Sequence, residues 1–456
     1  MRRGRFGLAV SEHKGLSMMG SLVRILAPLV IACGAFLLNA EAVYADKAQS
    51  LEAPELARPG QYLVGTVIRE LKLPARVQLT AAGTQSVPRI LSVRMWYPSA
   101  DRKGDNATYR HMMKLPDKSA HEIVEHGTAF QDAAIAKGDF PLVVMSHGYS
   151  GWSEQLSRLG EHLASRGYMV AAIDHRDTSF DSLPGFLMSF GNVLINRSLD
   201  QQQVLDTLLD PNFAKTETLL ASVDKTKVAL IGYSMGGYGA LGTAGAAYDP
   251  GGTPFAQLPP AAKSTMFSTD KRSSERVKAL VLIAPWGGQP DSRAWPKESL
   301  ATLKTPTLVI AGDHDDIVNF SQGVRWLFDT MTASDRYLLI YREARHNVAG
   351  NAVDPGSVLS AEAIGYTQEP VWRQTRINQI NQHFVTAFLD ATLKKDSTKR
   401  KYLDVPTPVA SDGKWPSAFG TIDGGAVAGD GQPAYWRGFQ RRWATGLELH
   451  HKRHGQ

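Results

Sequence analysis

Six short apolar runs limit the possible folds of this chain more than any other feature of its sequence. They occupy residues 142–145, 168–173, 228–231, 279–284, 307–311 and 337–341. Since nearly every residue in each run is apolar, both faces of the corresponding strands must be buried, as in a sheet between two helical layers. Stretches with helical periodicity, such as 154–165 and 372–393, separate several of these runs. The pattern predicts an α/β fold with a doubly wound, mostly parallel sheet and helices on both faces.

Other segments lie before, between and after these runs. Residues 89–97 alternate in polarity and are stopped by Pro98, which is typical of an antiparallel strand near a sheet edge. Two insertions interrupt the rhythm: 178–200 is rich in large apolar residues, and 248–275 is rich in Pro, Gly, Ser and Lys. Each is a candidate lid, and each is equally well explained as a surface excursion packed on the scaffold.

The chain divides into four predicted parts. Residues 1–45 form a targeting segment, 46–60 a polar, proline-punctuated linker, and 61–395 the main α/β domain. Residues 396–456 form an extension with many aromatic side chains, which predicts that it docks on the main domain rather than remaining in solvent. Its basic end is most simply a frayed, solvated terminus.

Composition narrows the class of protein. Apolar residues make up 43% of the chain and charged residues 21%, which is typical of globular proteins and excludes collagen-like, coiled-coil and wholly disordered chains. Fifty basic and 44 acidic side chains give a formal charge of only +6 over 456 residues. Nucleic-acid binding needs clustered positive charge, so we expect no nucleic-acid partner.

The first 45 residues resemble a secretory signal peptide. The apolar run 25–40 follows Arg24, and small residues continue to Ala45, where a signal peptidase could cut. The run is shorter than the roughly 20 residues of a spanning helix, so we expect no stable transmembrane anchor. The segment predicts a secreted or periplasmic bacterial protein, with Met18 or Met19 as alternative starts.

Cys33 is the only cysteine of the chain. Its surroundings fit a lipoprotein cleavage box as a pattern, so anchoring through a lipid on Cys33 is the alternative to simple secretion. If cleavage instead follows Ala45, the mature protein has no disulfide, and its stability must come from the hydrophobic core.

Ser234 is the predicted nucleophile. It is the central residue of a G-x-S-x-G motif, Gly232 to Gly236, which follows an apolar run and precedes a stretch of small residues. A strand, a sharp turn and a helix in this order lift the serine hydroxyl above the sheet, at a helix N-terminus that favours negative charge. An ordinary glycine-rich turn is the alternative.

A serine needs a base and an orienting acid, in the chain order Ser, Asp, His for this arrangement. Asp315 follows the apolar run 307–311 in a Gly-x-x-Asp-x-x-Val pattern, and His346 follows the run 337–341. We predict these two as acid and base. The neighbouring Asp313 and Asp316 remain alternatives for the acid, and His314 is the less favoured base because it lies on the acid's own loop.

An oxyanion requires backbone N–H donors. We predict Met235, directly after the nucleophile, and Tyr149, in the segment 146–151 after the first apolar run. Several His and Asp residues invite a metal interpretation, but the chain has neither an H-E-x-x-H motif nor a cysteine pair, so we predict no metal site.

These motifs resemble the α/β-hydrolase superfamily over about residues 61–395. The stretches 94–98, 146–148 and 174–177, together with the Ser234 turn, are similar to platelet-activating-factor acetylhydrolases and dienelactone-hydrolase-like proteins. The stretches 232–237 and 284–286 are similar to bacterial cutinase-like polyester hydrolases. The resemblance implies a serine esterase without a cofactor, in which Trp286 and Tyr149 form aromatic walls for an acyl group. Dienelactone hydrolases use a cysteine where this chain has Ser234, so that activity is not expected.

The sequence therefore predicts a serine carboxylic-ester hydrolase that forms an acyl-enzyme. Its substrate would be a small-molecule, lipid or polymer ester with a short-to-medium acyl group, such as a phospholipid acetyl ester or a polyester. Two alternatives stay open: a peptidase or amidase with the same triad, and a binding protein that kept the scaffold without catalysis.

Overall fold

A single large sheet organises the chain. The computed structural model describes residues 52–115, 119–175, 182–267, 275–353, 359–426 and 433–456. Within these residues the strands are β1 (Leu63–Thr80), β2 (Gly83–Ser99), β3 (Asn106–Lys114), β4 (Ala120–Gln131), β5 (Phe140–Ser146), β6 (Met169–Asp174), β7 (Val223–Tyr233), β8 (Val277–Ile283), β9 (Thr307–Gly312), β10 (Arg336–Tyr341), β11 (Gly425–Ala426), β12 (Pro433–Tyr435) and β13 (Leu447–Lys452). Eleven of these described strands form one sheet in the order β13-β10-β9-β8-β7-β5-β6-β2-β1-β4-β3, and β11 pairs with β12 separately.

The middle of the sheet is parallel. Strands β6, β5, β7, β8, β9 and β10 are parallel neighbours, and each contains one of the six apolar runs apart from terminal residues. Strands β5, β9 and β10 are buried along their whole length, as the runs predict. The predicted doubly wound, mostly parallel sheet is thus confirmed. The strand order reverses at β5, where ligand sites of open α/β sheets usually lie.

Helices cover the sheet in two groups. The described helices are α1 (Ser157–Ser165), α2 (Leu183–Leu209), α3 (Pro211–Thr216), α4 (Met235–Thr243), α5 (Pro260–Phe267), α6 (Lys297–Ala301), α7 (Arg325–Thr330), α8 (Ala361–Thr367) and α9 (Gln374–Thr392). Shorter 3-10 turns occupy Glu55–Ala57, Ser153–Leu156, Thr218–Ser222, Thr253–Phe255, Pro290–Ser292, Ser397–Tyr402 and Ala410–Asp412, and a π-helical turn occupies Phe320–Val324. Helices α1 and α9 contact one another in one layer, and α2 and α4 do so in the other.

Further strands extend the sheet on both sides, and all of their pairings are antiparallel except that of β1 with β4. Strand β2 lies between β1 and β6, so the segment 89–97 is an interior strand. The expected position near an edge was wrong, because the β1–β4 region adds three further strands outside it. The outermost strand on that side is β3, which pairs only with β4 among the described strands.

The insertions and the extension have defined places. Most of 178–200 belongs to α2, a helix of 27 residues, and 248–275 contributes α5. In the extension, β13 pairs antiparallel with β10 and so joins the same sheet. Residues Ala53–Gln456 form one compact unit.

The N-terminal predictions fall outside the described residues. These are the signal peptide 1–45, the first part of the linker and Cys33. Among the helices that the structure describes, none combines the length and the apolar character needed to cross a membrane.

Candidate active site

Ser234 lies in a sharp turn between β7 and α4. Its backbone has φ +51° and ψ −114°, a conformation that side-chain-bearing residues rarely adopt. The turn requires glycine on both sides. A β-carbon at Gly232 would lie 2.3 Å from the carbonyl oxygen of Gly236, and one at Gly236 would lie 2.0 Å from the carbonyl oxygen of Ser146. Gly232 thus packs within the turn, and Gly236 packs on the end of β5. Neither position has room for a side chain, which explains the two glycines of the G-x-S-x-G motif.

The structure brings the three predicted side chains together in a line. His346 Nε2 lies 3.1 Å from Ser234 Oγ, and His346 Nδ1 lies 2.8 Å from Asp315 Oδ2. The other carboxylate oxygen, Asp315 Oδ1, accepts the backbone N–H groups of Ile317 and Val318, each at 3.0 Å. The Asp315 side chain has no solvent exposure. These contacts hold the carboxylate in one orientation, with one oxygen directed at the imidazole.

The other acidic residues of the loop have different partners. Asp313 pairs with Arg342 at 3.0 Å, and Asp316 pairs with Arg345 at 2.6 Å. His314 is about half exposed and lies 3.6 Å from Glu343. Among the alternatives that the sequence left open, only Asp315 lies within hydrogen-bond distance of the His346 imidazole in the described contacts.

Both predicted oxyanion donors belong to segments beside Ser234. Met235 is the first residue of α4, where backbone N–H groups precede the first intrahelical hydrogen bonds. On the other side, a β-carbon at Gly148 would lie 3.2 Å from the Ser234 β-carbon, so the peptide between Gly148 and Tyr149 passes close to the nucleophile. Both segments that carry the predicted donors therefore lie next to the nucleophile.

A cavity of about 720 Å³ opens over Ser234 and His346. Its described lining combines apolar and polar side chains. It consists of Met113, Gly148, Tyr149, Ser150, Trp152, Gln155, Tyr233, Ser234, Asp316, Ile317, Arg345, His346, Asn347, Glu362, Ile364, Gly365, Tyr366, Thr367, Gln368, Glu369 and Pro370. One wall is therefore α8 and the residues after it. The sequence did not predict this segment as part of the site.

Of the two predicted aromatic walls, Tyr149 lines this cavity and Trp286 does not. The Trp286 ring packs at right angles against Phe190 at 5.5 Å and Tyr238 at 5.6 Å. Its backbone N–H donates to the Ser234 carbonyl at 3.1 Å. Trp286 thus touches the nucleophile's turn from within the protein, while Tyr149 joins the same aromatic group through Phe190 at 5.6 Å.

Sequence reasoning missed the residues that hold the His346 loop. The Tyr233 hydroxyl donates to the His346 carbonyl at 3.3 Å, and burial raises the pKa of this phenol well above its usual range. Glu369 accepts the Arg345 N–H at 2.9 Å, and burial raises the pKa of its carboxyl. Gln374 donates to the Asn347 carbonyl at 3.0 Å. Only Tyr233, inside the G-x-S-x-G motif, had a sequence signal that could have indicated it.

Metal ligation has no candidate cluster in the described part of the chain. No group of three or more His, Cys, Asp or Glu residues there has an arrangement that could hold an ion.

Comparisons with known proteins show which families and structures this chain is similar to. Residues 108–182 match the family described as platelet-activating factor acetylhydrolase, isoform II, and residues 155–363 match the prolyl oligopeptidase family. A solved ferulic acid esterase from Streptomyces cinnamoneus superimposes with a TM-score of 0.52 and 22% identity, over 75% of this chain and 94% of that one. The chain has the α/β-hydrolase fold.

Two curated proteins show what the chain is similar to. A platelet-activating factor acetylhydrolase from Cavia porcellus is 30% identical over 22% of this chain and 30% of its own length. Cutinase 1 from Thermobifida cellulosilytica is 23% identical over 53% of this chain and 72% of its own length. The predicted resemblance to both groups is confirmed. The chain spans between 30% and 54% of the length of the first curated relatives it matches.

Proposed function

We propose that this chain is a serine hydrolase that cleaves carboxylic esters through an acyl-enzyme. The observation that carries the proposal is the hydrogen-bonded line from Ser234 through His346 to Asp315, at the base of an open cavity. A hydroxyl, an imidazole and a buried carboxylate in this order are what proton removal from a serine requires.

Each step uses groups of this chain. His346 Nε2 accepts the Ser234 proton as Oγ attacks the ester carbonyl, while Asp315 keeps the imidazole in the tautomer with its proton on Nδ1. The backbone N–H groups of Met235 and Tyr149 receive the negative oxygen of the tetrahedral intermediate. His346 then donates its proton to the leaving alkoxide, and a water molecule activated by the same imidazole releases the acid. The proposed chemistry calls on no cofactor.

The cavity wall supports an ester with a bulky apolar group. Ile317, Ile364 and Tyr366 line the cavity and remain 59%, 49% and 43% exposed. Burying such side chains against a substrate contributes roughly 25 cal/mol per Å² of apolar surface removed from water. The names of two relatives, a platelet-activating factor acetylhydrolase and a cutinase, support an ester as the substrate. Lipid, polymer and small aromatic or alkyl esters are therefore the substrates to test.

The match of residues 155–363 to the prolyl oligopeptidase family favours a second candidate, a peptidase or amidase with the same triad. An activated ester and an amide of one acyl group separate the two. We expect turnover of the ester and at most trace turnover of the amide. Comparable turnover of both would assign the site to amide hydrolysis.

Ser234→Ala tests the nucleophile. We expect hydrolysis to fall by about 10⁵ to 10⁶, since the attacking oxygen is lost. The thermal midpoint should stay within about 2 °C, because a small side chain is replaced by a smaller one in a site that already opens to a cavity. A fluorophosphonate should label the wild-type protein at Ser234 and leave the variant unlabelled. Folded wild-type protein that neither hydrolyses esters nor takes the label would instead favour a binding protein on this scaffold.

We propose export to the periplasm or medium by the signal peptide 1–45, with a lipid on Cys33 as the alternative. Mass spectrometry of the mature N-terminus distinguishes cleavage after Ala45 from a modified Cys33.

A further inference from the structure

A second Ser-His-Asp arrangement lies inside the protein. Ser146 Oγ lies 2.8 Å from His175 Nε2, and His175 Nδ1 lies 2.9 Å from Asp200 Oδ2. All three residues are at most 3% exposed, and none of them lines the cavity over Ser234. We propose that this buried set positions the backbone N–H donors of the oxyanion site and performs no chemistry of its own. The inference rests on the proposed function, because it assigns a role within that site.

The charges around Asp200 settle the direction of the hydrogen bonds. Its carboxylate pairs with Arg76 at 2.9 Å and with Arg89 at 2.7 Å. Burial alone would raise the pKa of Asp200, but the hydrogen bond from His175 and the Arg89 charge offset it, so the pKa lies below its usual range. An ionised carboxylate only accepts, hence His175 Nδ1 donates to it and Nε2 accepts the Ser146 hydroxyl.

Burial also keeps this histidine from acting as a base. It lowers the pKa of His175 to about 3, with the Arg197 charge as the next cause. An imidazole that binds protons this weakly, in a place without access for substrate, holds its neighbours in place and moves no proton at neutral pH.

A chain of hydrogen bonds leads from His175 to the first oxyanion donor. The His175 backbone N–H donates to His147 Nε2 at 3.1 Å, so the proton of His147 is on Nδ1. That Nδ1 donates to the Gly148 carbonyl at 2.7 Å, and burial lowers the pKa of His147 well below its usual range. Both histidines are therefore neutral, and each has one defined tautomer.

The Gly148 carbonyl and the Tyr149 N–H are two ends of one peptide group. A trans peptide is planar, with its oxygen and its N–H directed to opposite sides. His147 fixes the direction of the oxygen, and the Gly151 N–H donates to the same oxygen at 3.3 Å. Because the peptide is planar, fixing this oxygen also fixes the direction of the Tyr149 N–H. This peptide group lies beside the point at which Gly148 approaches Ser234.

The neighbouring residue of α2 anchors the second donor segment. Gln201 Nε2 donates to the Gly236 carbonyl at 3.0 Å, and Gln201 Oε1 accepts the Thr243 hydroxyl at 2.9 Å. Both contacts lie on α4, whose first residue carries the Met235 N–H. Asp200 and Gln201 are adjacent on α2, so one turn of that helix is linked to both donor segments.

Ser146→Ala and His147→Gln test this role. Ser146→Ala removes the hydroxyl that donates a hydrogen bond to His175 Nε2. His147→Gln removes the Nδ1–H that donates to the Gly148 carbonyl, while keeping a polar side chain. Thr386→Val is the matched control, because Thr386 makes a similar buried contact with His162 Nε2, at 2.9 Å, on α9. Losing a whole oxyanion donor costs about 10² to 10³ in kcat, so a misdirected donor should cost roughly ten- to a hundredfold.

For Ser146→Ala and His147→Gln we expect kcat on an activated ester to fall roughly ten- to a hundredfold, with KM within threefold of wild type. The inhibition constant of an alkylboronic acid, which mimics the tetrahedral oxyanion, should rise in parallel with the loss of kcat/KM. Thr386→Val should lower the thermal midpoint without changing either quantity. A merely structural role predicts the reverse: all three variants lose stability alike and keep kcat within twofold, which would overturn the proposal.

Amide hydrogen exchange gives a second readout that does not need turnover. We expect faster exchange at residues 147–151 in Ser146→Ala than in wild type, and no change there in Thr386→Val. Equal protection of these amides in all three proteins would overturn the inference even if the ester hydrolase activity is found. Conversely, absence of any ester turnover in wild type would refute the proposed function and leave this exchange measurement decisive for the positioning role.

Discussion

Ser234 keeps a backbone conformation that costs free energy, and its neighbours account for its persistence. A residue other than glycine in such a region costs on the order of 1 to 3 kcal/mol. Its N–H donates to the Ile283 carbonyl at 2.9 Å, and its carbonyl accepts the N–H groups of Tyr238 and Trp286, each at 3.1 Å. Strands β7 and β8 and helix α4 therefore hold the turn from three directions. These hydrogen bonds keep the turn in the conformation that presents the Ser234 hydroxyl at the cavity.

Asp315→Asn tests the choice among the acids of the same loop. An asparagine in place of Asp315 can donate its amide N–H to His346 Nδ1, which favours the tautomer that cannot accept the Ser234 proton. We expect kcat to fall by about 10⁴, with the thermal midpoint little changed. Steady-state kinetics on an activated ester measures this.

Asp313→Asn is the matched control for that substitution. The Asp313 carboxylate pairs with Arg342 at 3.0 Å, and Asp313 does not line the cavity over Ser234. We expect kcat within threefold of wild type, because an asparagine oxygen can still accept the Glu343 N–H that Asp313 Oδ1 accepts at 2.6 Å. An equal loss of kcat in both variants would contradict the assignment of Asp315 as the acid.

At the scale of secondary-structure elements, the sequence predicted the parallel strands well. The apolar runs lie in strands buried between helical layers. A strand that is buried on both faces needs apolar residues at consecutive positions, so an unbroken apolar run predicts it. The turn between β7 and α4 was equally predictable from the sequence. Close packing leaves no room for a β-carbon at positions 232 and 236, so both residues are glycine. These features depend on neighbours in sequence, so one sequence suffices to predict them.

Contacts between distant segments were not predictable in this way. The network around Asp200 joins β1, β2, the end of β6 and α2, and no local spacing connects these residues. The position of α8 in the cavity wall was not predictable either. This helix has only seven residues and follows His346 in a stretch without helical periodicity. Our candidate lids were 178–200 and 248–275, whereas the cavity wall is formed by 362–370. A short helix carries too few turns to produce an amphipathic signal.

Helix α8 gives a prediction about substrate size. Ile364→Ala and Tyr366→Ala remove apolar surface from the cavity wall, so esters with a long or aromatic acyl group should lose contacts. We expect kcat/KM for such esters to fall roughly three- to tenfold per substitution, equivalent to about 1 kcal/mol, while acetyl esters change by less than twofold. A series of esters that differ only in the acyl group measures this.

Val371→Ala is the matched control for the wall. Val371 is 63% exposed, follows the last lining residue in sequence, and does not line the cavity itself. Val371→Ala should therefore leave kcat/KM unchanged for every ester in the series. An equal loss for acetyl and long-chain esters in Ile364→Ala would show that α8 supports the fold of the site rather than the acyl group.

At the scale of the whole molecule, the C-terminal extension shares the core of the main domain. Its strand β13 pairs with β10, and Trp436 and Phe439 contact Phe384 of α9 at ring distances of 6.1 and 5.8 Å. The start of the described chain reaches the same helix, because the Leu56 N–H donates to His383 Nδ1 at 3.2 Å. Both ends of the compact unit are thus anchored on α9, around a histidine with no solvent exposure.

Buried neutral histidines should make the stability of this protein depend on acidity. Burial, followed by the charges of Arg166 and Arg376, lowers the pKa of His383 from 6.5 to about 3. The pKa values of His147, His162 and His175 are also lowered, with burial as the main cause. Between pH 6.5 and about 3 the unfolded chain binds protons that the folded chain does not bind. The free energy of unfolding must therefore rise with pH across this window and fall on acidification.

His383→Asn isolates one of these groups. Each such histidine contributes a slope of about 1.4 kcal/mol per pH unit within the window, so the variant should lose about that much of the slope between pH 4 and 5.5. The Asn side chain can still accept the Leu56 N–H, which limits the loss of stability at pH 7. Urea unfolding at a series of pH values measures the slope. An unchanged slope in His383→Asn would mean that this imidazole is protonated in the folded protein, which its burial between α9 and the extension argues against.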